Sequence, residues 1–416
     1  MTIETPVIII GAGPAGAGAS IFLTKAGIHH IILEKETFPR DKICGDACSG
    51  KTAFVLRKAN PEWMEEIFNN SAENIPSHGV VFASPNGKEL HIPFNPAKLI
   101  KGQAPGFVTP RLLFDNFLFK KLTSPFATIY QQAAIKSIER VQDKGVKVSF
   151  THHSQNYEMI APVIIGADGD KSQVRKVLMK KNVAARAYCV GLRAYYKGVT
   201  GMHEKDFIEL HFLPEVLPGY FWIFPLANGM TNVGIGMMSE RIRSKKINLR
   251  EEMLKAIKNN PNISHRFTDA TLEGKIQGWG LPMSVKKEKL SGDNFLLAGD
   301  AASLIDPFTG EGIGNALYSG MLTAFAVEEA VKAGKYDAGF LKEKYDDVLY
   351  KRIGDELKMS ALLQRLCHYP WLFNMVVKKA HKSKTLNTAI TSMFTDIDLR
   401  KQLRKPSFYA KILLNK

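Results

Sequence analysis

The stretch PVIIIGAGPAG, residues 6–16, carries the strongest fold signal in the sequence. Its first five residues are an apolar, mostly β-branched run, which is typical of a parallel strand buried on both faces. Residues 17–26 then predict a helix of small residues that ends at a glycine, and residues 28–33 predict a second buried strand that leads into Glu34. The spacing therefore predicts a strand-helix-strand unit with parallel strands.

Three glycines in this unit predict a dinucleotide site. Gly11 makes the tight turn, Gly13 lets the backbone approach a pyrophosphate, and Gly16 permits close packing of the helix. The start of the helix adds free N–H groups and the positive end of the helix dipole, and both favour phosphate. Glu34 stands about 20 residues further on, where it can accept hydrogen bonds from ribose hydroxyls. The alternative is a plain strand-turn-helix without a ligand.

The composition is that of a large globular protein. The sequence has 416 residues, 45% of them hydrophobic, and a formal net charge of +16. This length exceeds a single core, and the composition excludes a disordered or fibrous chain. The first basic residue is Lys25, so no signal peptide is predicted, and the glycines within the uncharged residues 5–24 argue against a membrane span. The cysteines form no CxxC pair, which favours a reducing, intracellular setting; they are Cys44, Cys48, Cys189 and Cys367.

Beyond the opening unit, parallel and antiparallel patterns alternate. The predicted elements are hairpins over residues 78–94 and 135–150, helices over 110–122, 248–259 and 312–333, buried strands over 162–165 and 294–298, and an antiparallel sheet over 186–238. From about residue 338 the pattern is helical to the end. Antiparallel elements that interrupt parallel ones predict two interleaved domains rather than two in tandem.

A second segment bears on which dinucleotide binds. Gly299 and Asp300 end a buried strand, and a carboxylate there can accept a hydrogen bond from a sugar-alcohol hydroxyl. Gly312 and Ile313 open another helix, whose N-terminus would stabilise negative charge on the pyrimidine end of a reduced flavin. Both features favour a flavin dinucleotide.

Residues 11–16, 166–169 and 299–300 resemble, in order and spacing, the three FAD motifs of the p-hydroxybenzoate hydroxylase superfamily. The resemblance implies FAD as cofactor and an α/β fold, in which a Rossmann-like FAD-binding domain is interleaved with an antiparallel β-sheet substrate domain. It assigns residues 1–78, 105–185 and 275–340 to the FAD-binding domain, residues 79–104 and 186–274 to the substrate domain, and residues 341–416 to a helical, basic C-terminal segment.

The same resemblance implies a set of FAD-binding residues. Ala15 and Glu34 would touch the ADP half, Arg111 would pair with the pyrophosphate, and the Ala134 backbone would meet the adenine. Asp168 would brace the site with Arg175 and assist a passing nicotinamide cofactor, or the two would form a buried structural salt link. The implied set is Gly11, Gly13, Ala15, Gly16, Glu34, Lys35, Cys44, Gly45, Arg111, Ala134, Asp168, Gly299, Asp300, Pro307, Gly310, Gly312 and Ile313. No metal site is predicted.

Two further segments resemble the geranylgeranyl reductase branch of that superfamily. Residues 38–46 contain its Lys-x-Cys-Gly signature at Lys42, Cys44 and Gly45. Residues 218–225 are similar to its Tyr-x-Trp-x-Phe-Pro motif, with one residue fewer than expected ahead of Tyr220. The resemblance implies that Cys44 reaches the flavin and that the second motif faces it across the substrate cavity.

The residues of these segments also carry their own chemistry. Tyr220, Trp222 and Phe224 alternate along a predicted strand, so they share one face and form either an aromatic wall for an apolar substrate or ordinary sheet core. Cys44 lies beside basic residues that could lower the pKa of its thiol, making it a proton donor or a gate, or else it is a small residue packed against the flavin. A redox pair with Cys48 requires the segment to be helical. The predicted catalytic residues are Cys44, Tyr220 and Trp222.

The resemblance implies an enzyme, an oxidoreductase in which reduced FAD delivers a hydride to a carbon–carbon double bond of a prenyl (geranylgeranyl-type) lipid chain. No second GxGxxG follows a strand, so the electron donor is predicted to be a transiently bound NAD(P)H or a protein such as ferredoxin. The alternatives are an FAD-dependent monooxygenase or halogenase acting on an aromatic or polyketide-like substrate, and a non-catalytic flavin-binding module. The halogenase branch has Trp-x-Trp-x-Ile-Pro where this sequence has Tyr220 and Phe224.

Half of the net charge lies at the C-terminal end. Residues 378–416 hold ten Lys or Arg and two Asp, a net of +8. An aromatic and aliphatic stretch begins at Pro370 and runs into these lysines, which suits peripheral contact with an anionic membrane that delivers an isoprenoid lipid. Helices that cap the flavin domain with a solvated basic face are the alternative. Nucleic acid is not a predicted partner, because no recognition motif accompanies the charge. The predicted location is the cytoplasm, at the inner face of a membrane, and no oligomeric state is predicted.

Overall fold

A computed structural model describes residues 2–94 and 104–380. The strands are, in chain order, β1 (Thr2–Glu4), β2 (Val7–Ile10), β3 (His30–Leu33), β4 (Ala47–Cys48), β5 (Ile75–Ser77), β6 (Gly79–Ala83), β7 (Glu89–Pro93), β8 (Gly106–Val108), β9 (Ala127–Tyr130), β10 (Ala134–Val141), β11 (Gly145–His152), β12 (Gln155–Ala161), β13 (Val163–Gly166), β14 (Tyr188–Lys197), β15 (Ile208–His211), β16 (Tyr220–Pro225), β17 (Met230–Met238), β18 (Thr271–Pro282), β19 (Ser291–Gly292) and β20 (Phe295–Leu297). The α-helices are α1 (Pro14–Lys25), α2 (Gly50–Ala59), α3 (Glu62–Asn69), α4 (Arg111–Lys120), α5 (Gln173–Leu178), α6 (Ser239–Lys245), α7 (Leu249–Asn259), α8 (Ile313–Ala333), α9 (Ala338–Leu341), α10 (Asp347–Leu366) and α11 (Pro370–Ala380).

The opening unit forms the centre of a six-stranded sheet with the order β19-β20-β13-β2-β3-β9. Its strands pair in parallel from β20 to β9, and only β19 is antiparallel. Every residue of β2 and β3 is buried, as their apolar runs predict. The expected parallel strand-helix-strand arrangement is therefore present.

Helices α1 and α8 lie directly against each other. A Cβ at Gly18 would stand 2.6 Å from the Leu317 carbonyl oxygen, and one at Gly320 would stand 2.0 Å from the Ala15 carbonyl oxygen. These glycines let the two backbones touch, so the start of α1 and the start of α8 open onto the same space. That space is the site described below.

A second, seven-stranded sheet has the order β18-β14-β17-β16-β15-β6-β7 and is antiparallel except between β15 and β6. Strand β18 pairs with β14 along its length, so it crosses the domain boundary predicted at residue 275. That boundary needs correction to the end of this strand, because residues 277–282 pair with β14 of the antiparallel sheet. Two smaller sheets, β1-β12-β11-β10 and β4-β8-β5, complete the strands that the structure describes.

The C-terminal segment is helical through residue 380. Helices α9 and α10 are joined by a π-helical turn over Lys342–Asp346, whose Tyr345 hydroxyl donates to the Leu297 carbonyl at 2.6 Å. Helix α11 packs on the seven-stranded sheet, where the centroid of the Phe373 ring lies 4.5 Å from that of the Phe212 ring. The segment thus contacts both sheets. Residues 381–416, which hold most of the predicted basic tail, lie outside the described residues. In the described part, no helix combines the length and apolar character needed to span a bilayer.

Candidate flavin and substrate site

One cavity of about 890 Å³ is lined by both large sheets and by the starts of α1 and α8. Nearly all residues singled out from the sequence meet there. Those lining it are Gly11, Gly13, Ala15, Glu34, Lys35, Cys44, Gly45, Arg111, Ala134, Asp168, Tyr220, Trp222, Asp300, Pro307, Gly310, Gly312 and Ile313. Gly16 and Gly299 lie just behind the cavity wall. A Cβ at Gly16 would stand 1.8 Å from the Gly11 carbonyl oxygen, and a Cβ at Gly299 would stand 3.0 Å from the Ala15 Cβ.

The glycine loop is built by close backbone contacts. Gly11 has φ +99°, and a Cβ there would stand 2.4 Å from the Ala167 carbonyl oxygen. At Gly13 the nearest atom to a Cβ would be Arg40 Nη2, at 3.4 Å, so this side of the loop is open. Gly13 also caps α1, and no side chain bonds to the N–H groups of that first turn. The loop presents free donors and a dipole end to the cavity, which is what a pyrophosphate requires.

Glu34 holds the glycine loop in place. One carboxylate oxygen accepts from the Ala12 N–H at 2.8 Å and the other from the Glu36 N–H at 3.0 Å, and the residue is buried. The Ala133 N–H donates to the Glu34 carbonyl at 2.8 Å, which sets Ala134 beside it at this end of the cavity. Lys35 lies at the rim with an exposed ammonium. Glu34 is therefore a brace for the loop as well as a group that lines this end of the cavity.

A buried carboxylate orders the positive charge beside the loop. Asp115 accepts from Arg111 Nε at 2.6 Å and Nη2 at 2.8 Å, and from Arg40 Nη1 at 3.0 Å. Burial acts to lower the pKa of the Arg111 guanidinium, but the Asp115 carboxylate more than reverses this and raises it well above its usual range. Arg40 also pairs with Glu34, from Nε to Oε1 at 3.9 Å, so the two guanidinium groups are held between two carboxylates beside the loop. The pair of Arg111 and Asp115 was not predicted from the sequence, although its i,i+4 spacing could have indicated it.

Asp168 and Arg175 brace different turns. Asp168 Oδ2 accepts from the Gln173 N–H at 2.7 Å, while its buried Oδ1 has no partner among the described residues. Arg175 donates to the Ala301 carbonyl, to Ser303 Oγ at 2.7 Å and to Glu288 at 2.7 Å. Within residues 2–94 and 104–380 no ion pair joins Asp168 to Arg175, so the alternative of a salt link between them is wrong. The Arg175 guanidinium instead bonds to the turn that carries Asp300.

Asp300 is the second acidic group with an open face. Its carboxylate has no hydrogen-bond partner in the described part of the chain, and its Oδ1 would lie 3.9 Å from a Cβ at Gly312. Burial raises the pKa of this carboxyl, and the charges of Lys42 and Arg111 oppose the rise. Gly312 caps α8, and the Glu311 carboxylate accepts from the Gly314 N–H of its first turn at 2.6 Å. An unpaired carboxylate beside a helix N-terminus fits a sugar alcohol joined to a ring that becomes negative.

The loop over residues 41–46 is clamped to the antiparallel sheet through Asp46. Asp46 Oδ2 accepts from Asn232 Nδ2 at 2.7 Å and from the Tyr195 hydroxyl at 2.8 Å, and Oδ1 accepts from the Arg111 N–H at 3.2 Å. Burial raises the pKa of Asp46 to about 6, although these donors lower it in part. Arg193 adds a second clamp, from Nη2 to Asp41 at 2.6 Å. The sequence signal at Lys42, Cys44 and Gly45 missed this carboxylate.

Trp222 extends the same network. Its indole N–H donates to Asn232 Oδ1 at 2.8 Å, and the Asn232 amide also donates to the Cys44 carbonyl at 2.8 Å. The indole lies over Gly234 on the neighbouring strand, where a Cβ would come within 2.0 Å of it. Trp222 therefore fixes the position of the Cys44 loop as well as lining the cavity.

The aromatic residues of β16 share one face, as their alternation predicts. Tyr220, Trp222 and Phe224 line the cavity, whereas Phe221 and Ile223 lie in a separate core on the other side of the sheet. The Tyr220 hydroxyl donates to the Thr309 carbonyl at 2.7 Å, which ties this strand to the loop before α8. The Tyr220 hydroxyl thus joins the apolar end of the cavity, which the aromatic residues of β16 line, to the end formed by the loop before α8.

Cys44 and Cys48 are free thiols in a segment that is not helical. Cys48 lies in β4 and is buried, and burial raises its pKa well above the usual range. The predicted redox pair required Cys44 and Cys48 to lie one helical turn apart, and this non-helical segment does not provide that arrangement. Both cysteines line the cavity, Cys44 with a partly exposed side chain and Cys48 with a buried one.

Helix α10 of the C-terminal segment contributes a residue to the cavity lining, which the sequence did not indicate. Gln364 of α10 lines the cavity and donates to the Pro307 carbonyl at 2.8 Å. Glu356, one of the buried polar residues of the same helix, pairs with Lys51 at 3.2 Å, and that ammonium also bonds to Asn315 near the start of α8. The helix thus supports the loop over residues 304–312 from outside. Only long-range packing could reveal this, since no local motif marks these residues.

FAD fits the open glycine loop at the start of α1, together with the Asp168 and Asp300 oxygens that have no partner among the described residues. These features define a flavoprotein of the dinucleotide-binding class. A family model described as FAD binding domain matches residues 4–321. The chain belongs to this family, and FAD is its cofactor.

Curated relatives and solved structures agree with this assignment. The chain is 28% identical over 361 residues to the digeranylgeranylglycerophospholipid reductase of Methanosarcina mazei, covering 86% of this chain and 83% of the relative. It is 29% identical over 367 residues to the enzyme of that name from Methanocaldococcus jannaschii, covering 86% and 87%.

Among solved structures, a geranylgeranyl bacteriochlorophyll reductase-like protein of Thermoplasma acidophilum superposes with a TM-score of 0.79 at 21% identity, covering 97% of this chain and 99% of that chain. A flavin-dependent brominase superposes with a TM-score of 0.75 at 19% identity, covering 98% and 99%. These likenesses confirm the predicted fold class, which reductases and halogenases share.

Proposed function

We propose that this protein is an FAD-dependent reductase of carbon–carbon double bonds in the prenyl chain of a lipid. The observation that carries the proposal is the join between the two ends of the cavity: the aromatic face of β16 meets the loop before α8 through the Tyr220–Thr309 bond. An apolar chain lying on that face is brought against the place where FAD reacts. The names of the curated relatives support this substrate class.

When bound and reduced, FAD supplies the hydride. The residues of the chain hold the alkene in position and exclude water, which is the main contribution proteins make to such a step. We assign Trp222 and Cys44 to contact with the substrate, and Tyr220 to positioning of the loop over residues 306–311. The Tyr220 hydroxyl is already donated to a carbonyl, so it holds the site together rather than moving a proton.

The FAD-binding residues named above are part of the same proposal. The ADP half would lie along Gly13, Ala15, Glu34 and Ala134, and the flavin along Asp300, Gly312 and Ile313. The substrate-binding part would comprise residues 79–104 and 186–282, with the C-terminal segment as a support. The proposed electron donor is NAD(P)H bound in passing, or a protein such as ferredoxin.

The described end of the C-terminal segment supports a peripheral contact with the inner face of a membrane. Tyr369, just before α11, is 56% exposed, and Trp371 in the first turn of α11 is 66% exposed. Lys378 and Lys379 lie further along α11. Exposed aromatic rings beside lysines suit the boundary between lipid headgroups and acyl chains. The proposed location is therefore cytoplasmic, at a membrane surface from which a lipid could enter the cavity.

The brominase likeness keeps an oxidative function as the second candidate. The two functions differ in what happens to oxygen and to the mass of the product. A reductase adds two hydrogens per double bond without oxygen, whereas a monooxygenase or halogenase consumes oxygen.

Anaerobic single-turnover measurements test the proposal. FAD-loaded protein is photoreduced and mixed with geranylgeranyl phosphate, and flavin absorbance and product mass are followed together. We expect flavin reoxidation and a mass gain of two hydrogens per turnover, and no reoxidation with the fully saturated phytanyl phosphate as control. Oxygen-dependent consumption of NADPH in the presence of an aromatic substrate, with the prenyl chain unchanged, would overturn it in favour of the second candidate.

A further inference from the structure

A second cavity of about 570 Å³ adjoins the first. It lies between α6 and α10 and opens on the outer side of a wall that the two cavities share. Pro218, Met238 and Gln364 line both spaces, so these three residues form part of the wall between them. Met238 contributes a flexible side chain to this wall, which suits passage of a chain between the two spaces.

The second cavity is strongly basic. Its only acidic lining residue within the described parts of the chain is Glu240, so the five permanent cations leave a net charge of +4 even with a neutral histidine. The basic lining residues are Arg186, Arg241, Lys245, Lys286, Arg365 and His368.

Most of this charge is not neutralised. Across residues 2–94 and 104–380, Lys286 is the only one of the five cations with a carboxylate within 4.0 Å, which is Glu288 at 3.7 Å. Arg241 Nε is buried and has no hydrogen-bond partner in the same residues. His368 has a lowered pKa, caused first by burial and then by the neighbouring charge of Arg241. Cations gathered without counter-charges attract an anion.

The opposite side of the shared wall is apolar. Cys189, Met238, Met283 and Ile305 form a buried cluster, with Leu281 packed against it, and all five line the first cavity. Gly191 and Gly236 pair across β14 and β17 beside this cluster, which leaves the sheet face without side chains there. A ligand with an apolar chain and an anionic head would therefore find both surfaces within one molecule's length.

We infer that the second cavity binds the phosphate head of the lipid whose prenyl chain lies in the first cavity. This inference rests on the proposed function for the identity of the chain. Guanidinium groups from three separate segments, at Arg186, Arg241 and Arg365, match the several oxygens of a phosphate better than a single carboxylate. The phosphates of a nicotinamide donor share this chemistry, and the experiment separates the two sources.

The test compares two ligands that differ only in the phosphate. Binding of geranylgeranyl phosphate and of geranylgeraniol to FAD-loaded protein is measured by calorimetry, for the natural sequence and for the double variant Arg241→Gln with Arg365→Gln. We expect tighter binding of the phosphate by the natural sequence, a tenfold or greater loss of that binding in the double variant, and unchanged binding of the alcohol. Lys258→Gln, an exposed lysine on α7 outside both cavities, is the matched control and should change neither.

Steady-state kinetics distinguish the sources of phosphate. The double variant should raise KM for the prenyl phosphate while leaving kcat and KM for NADPH unchanged. A rise in KM for NADPH alone would overturn the inference and assign the cavity to the donor. Equal affinity of the natural sequence for phosphate and alcohol, or equal losses for both in the variant, would also overturn it. Should the phosphate preference hold while no double bond is reduced, the proposed function fails and the anion site stands.

Discussion

The two ends of the main cavity are built on different principles. At the nucleotide end, the loop over residues 11–16 is shaped by backbone contacts and one carboxylate, Glu34, and its residues are contiguous in sequence. At the apolar end, side chains from β14, β16, β17 and α10 meet across long sequence separations. The first end therefore tolerates almost no added atom, whereas the second depends on a network of paired side chains.

The largest expected effect is at the nucleotide end, for Gly11→Ala. The residue has φ +99°, and the new Cβ would stand 2.4 Å from a backbone oxygen. Positive φ and the clash together should cost about 4 kcal/mol, close to a thousandfold in FAD affinity. Titration of apoprotein with FAD, followed by flavin fluorescence, measures the loss.

Gly13→Ala is the matched control for that variant. Its φ of −66° is ordinary, and the new Cβ would meet only the movable end of Arg40 at 3.4 Å. The apoprotein should remain as stable as the natural sequence, and FAD affinity should fall by about tenfold, since the methyl group occupies the open face of the loop. Equal FAD affinities for the Gly11 and Gly13 variants would show that backbone contact is not what shapes this end.

Asp46, which connects the two ends, should give a pH-dependent stability. Its pKa of about 6 lies above the value of 3.8 expected in the unfolded chain, so the folded state holds the proton more tightly. The stabilisation is fully present below pH 3.8 and is lost as the pH rises through about 6. The difference of about 2.2 pH units corresponds to roughly 3 kcal/mol at most.

Urea unfolding of the natural sequence and of Asp46→Asn between pH 4 and 7.5 checks this. The free energy of unfolding of the natural sequence, relative to that of the variant, should fall with rising pH across that window. Asparagine has no proton to lose there, so the other titrating groups cancel in the difference. A difference that is constant with pH would show that the Asp46 carboxyl is not protonated in the folded state near pH 5.

The contrast between the two ends of the cavity also explains which features of the protein could be predicted from its sequence. The parallel unit around residues 6–16, the helix at Ile313 and the aromatic face of β16 follow from local periodicity and glycine spacing, and all three are present. The fold class and the FAD site followed from motifs that are contiguous in sequence. Roles of individual residues in catalysis stay predictions.

The site residues that were not predicted from the sequence are held by hydrogen-bond partners that lie far from them along the chain. Asp46 is held by Asn232 from 186 residues away, and Gln364 reaches Pro307 from 57 residues away. The motif that ends at Gly45 gives the neighbouring Asp46 no role, and no motif stands near Gln364. The extension of β18 past residue 275 was hidden for the same reason, since a strand's end is set by the ladder it joins.

At the apolar end, Trp222→Phe should have a smaller effect than the change at Gly11 or the loss of the Asp46 proton. The variant removes the indole donor to Asn232 Oδ1, leaving a buried acceptor without a partner, and it shrinks the ring that lies over Gly234. The free energy of unfolding should fall by about 2 kcal/mol, while FAD affinity changes less than about threefold.

If Trp222 acts on the Cys44 loop through Asn232, the variant Asn232→Ala already breaks that route. The double variant should then lose clearly less stability than the sum of the two single losses. Additive losses, or a large loss of FAD affinity in Trp222→Phe, would mean that the two ends of the cavity are not organised as separate networks joined at Asp46.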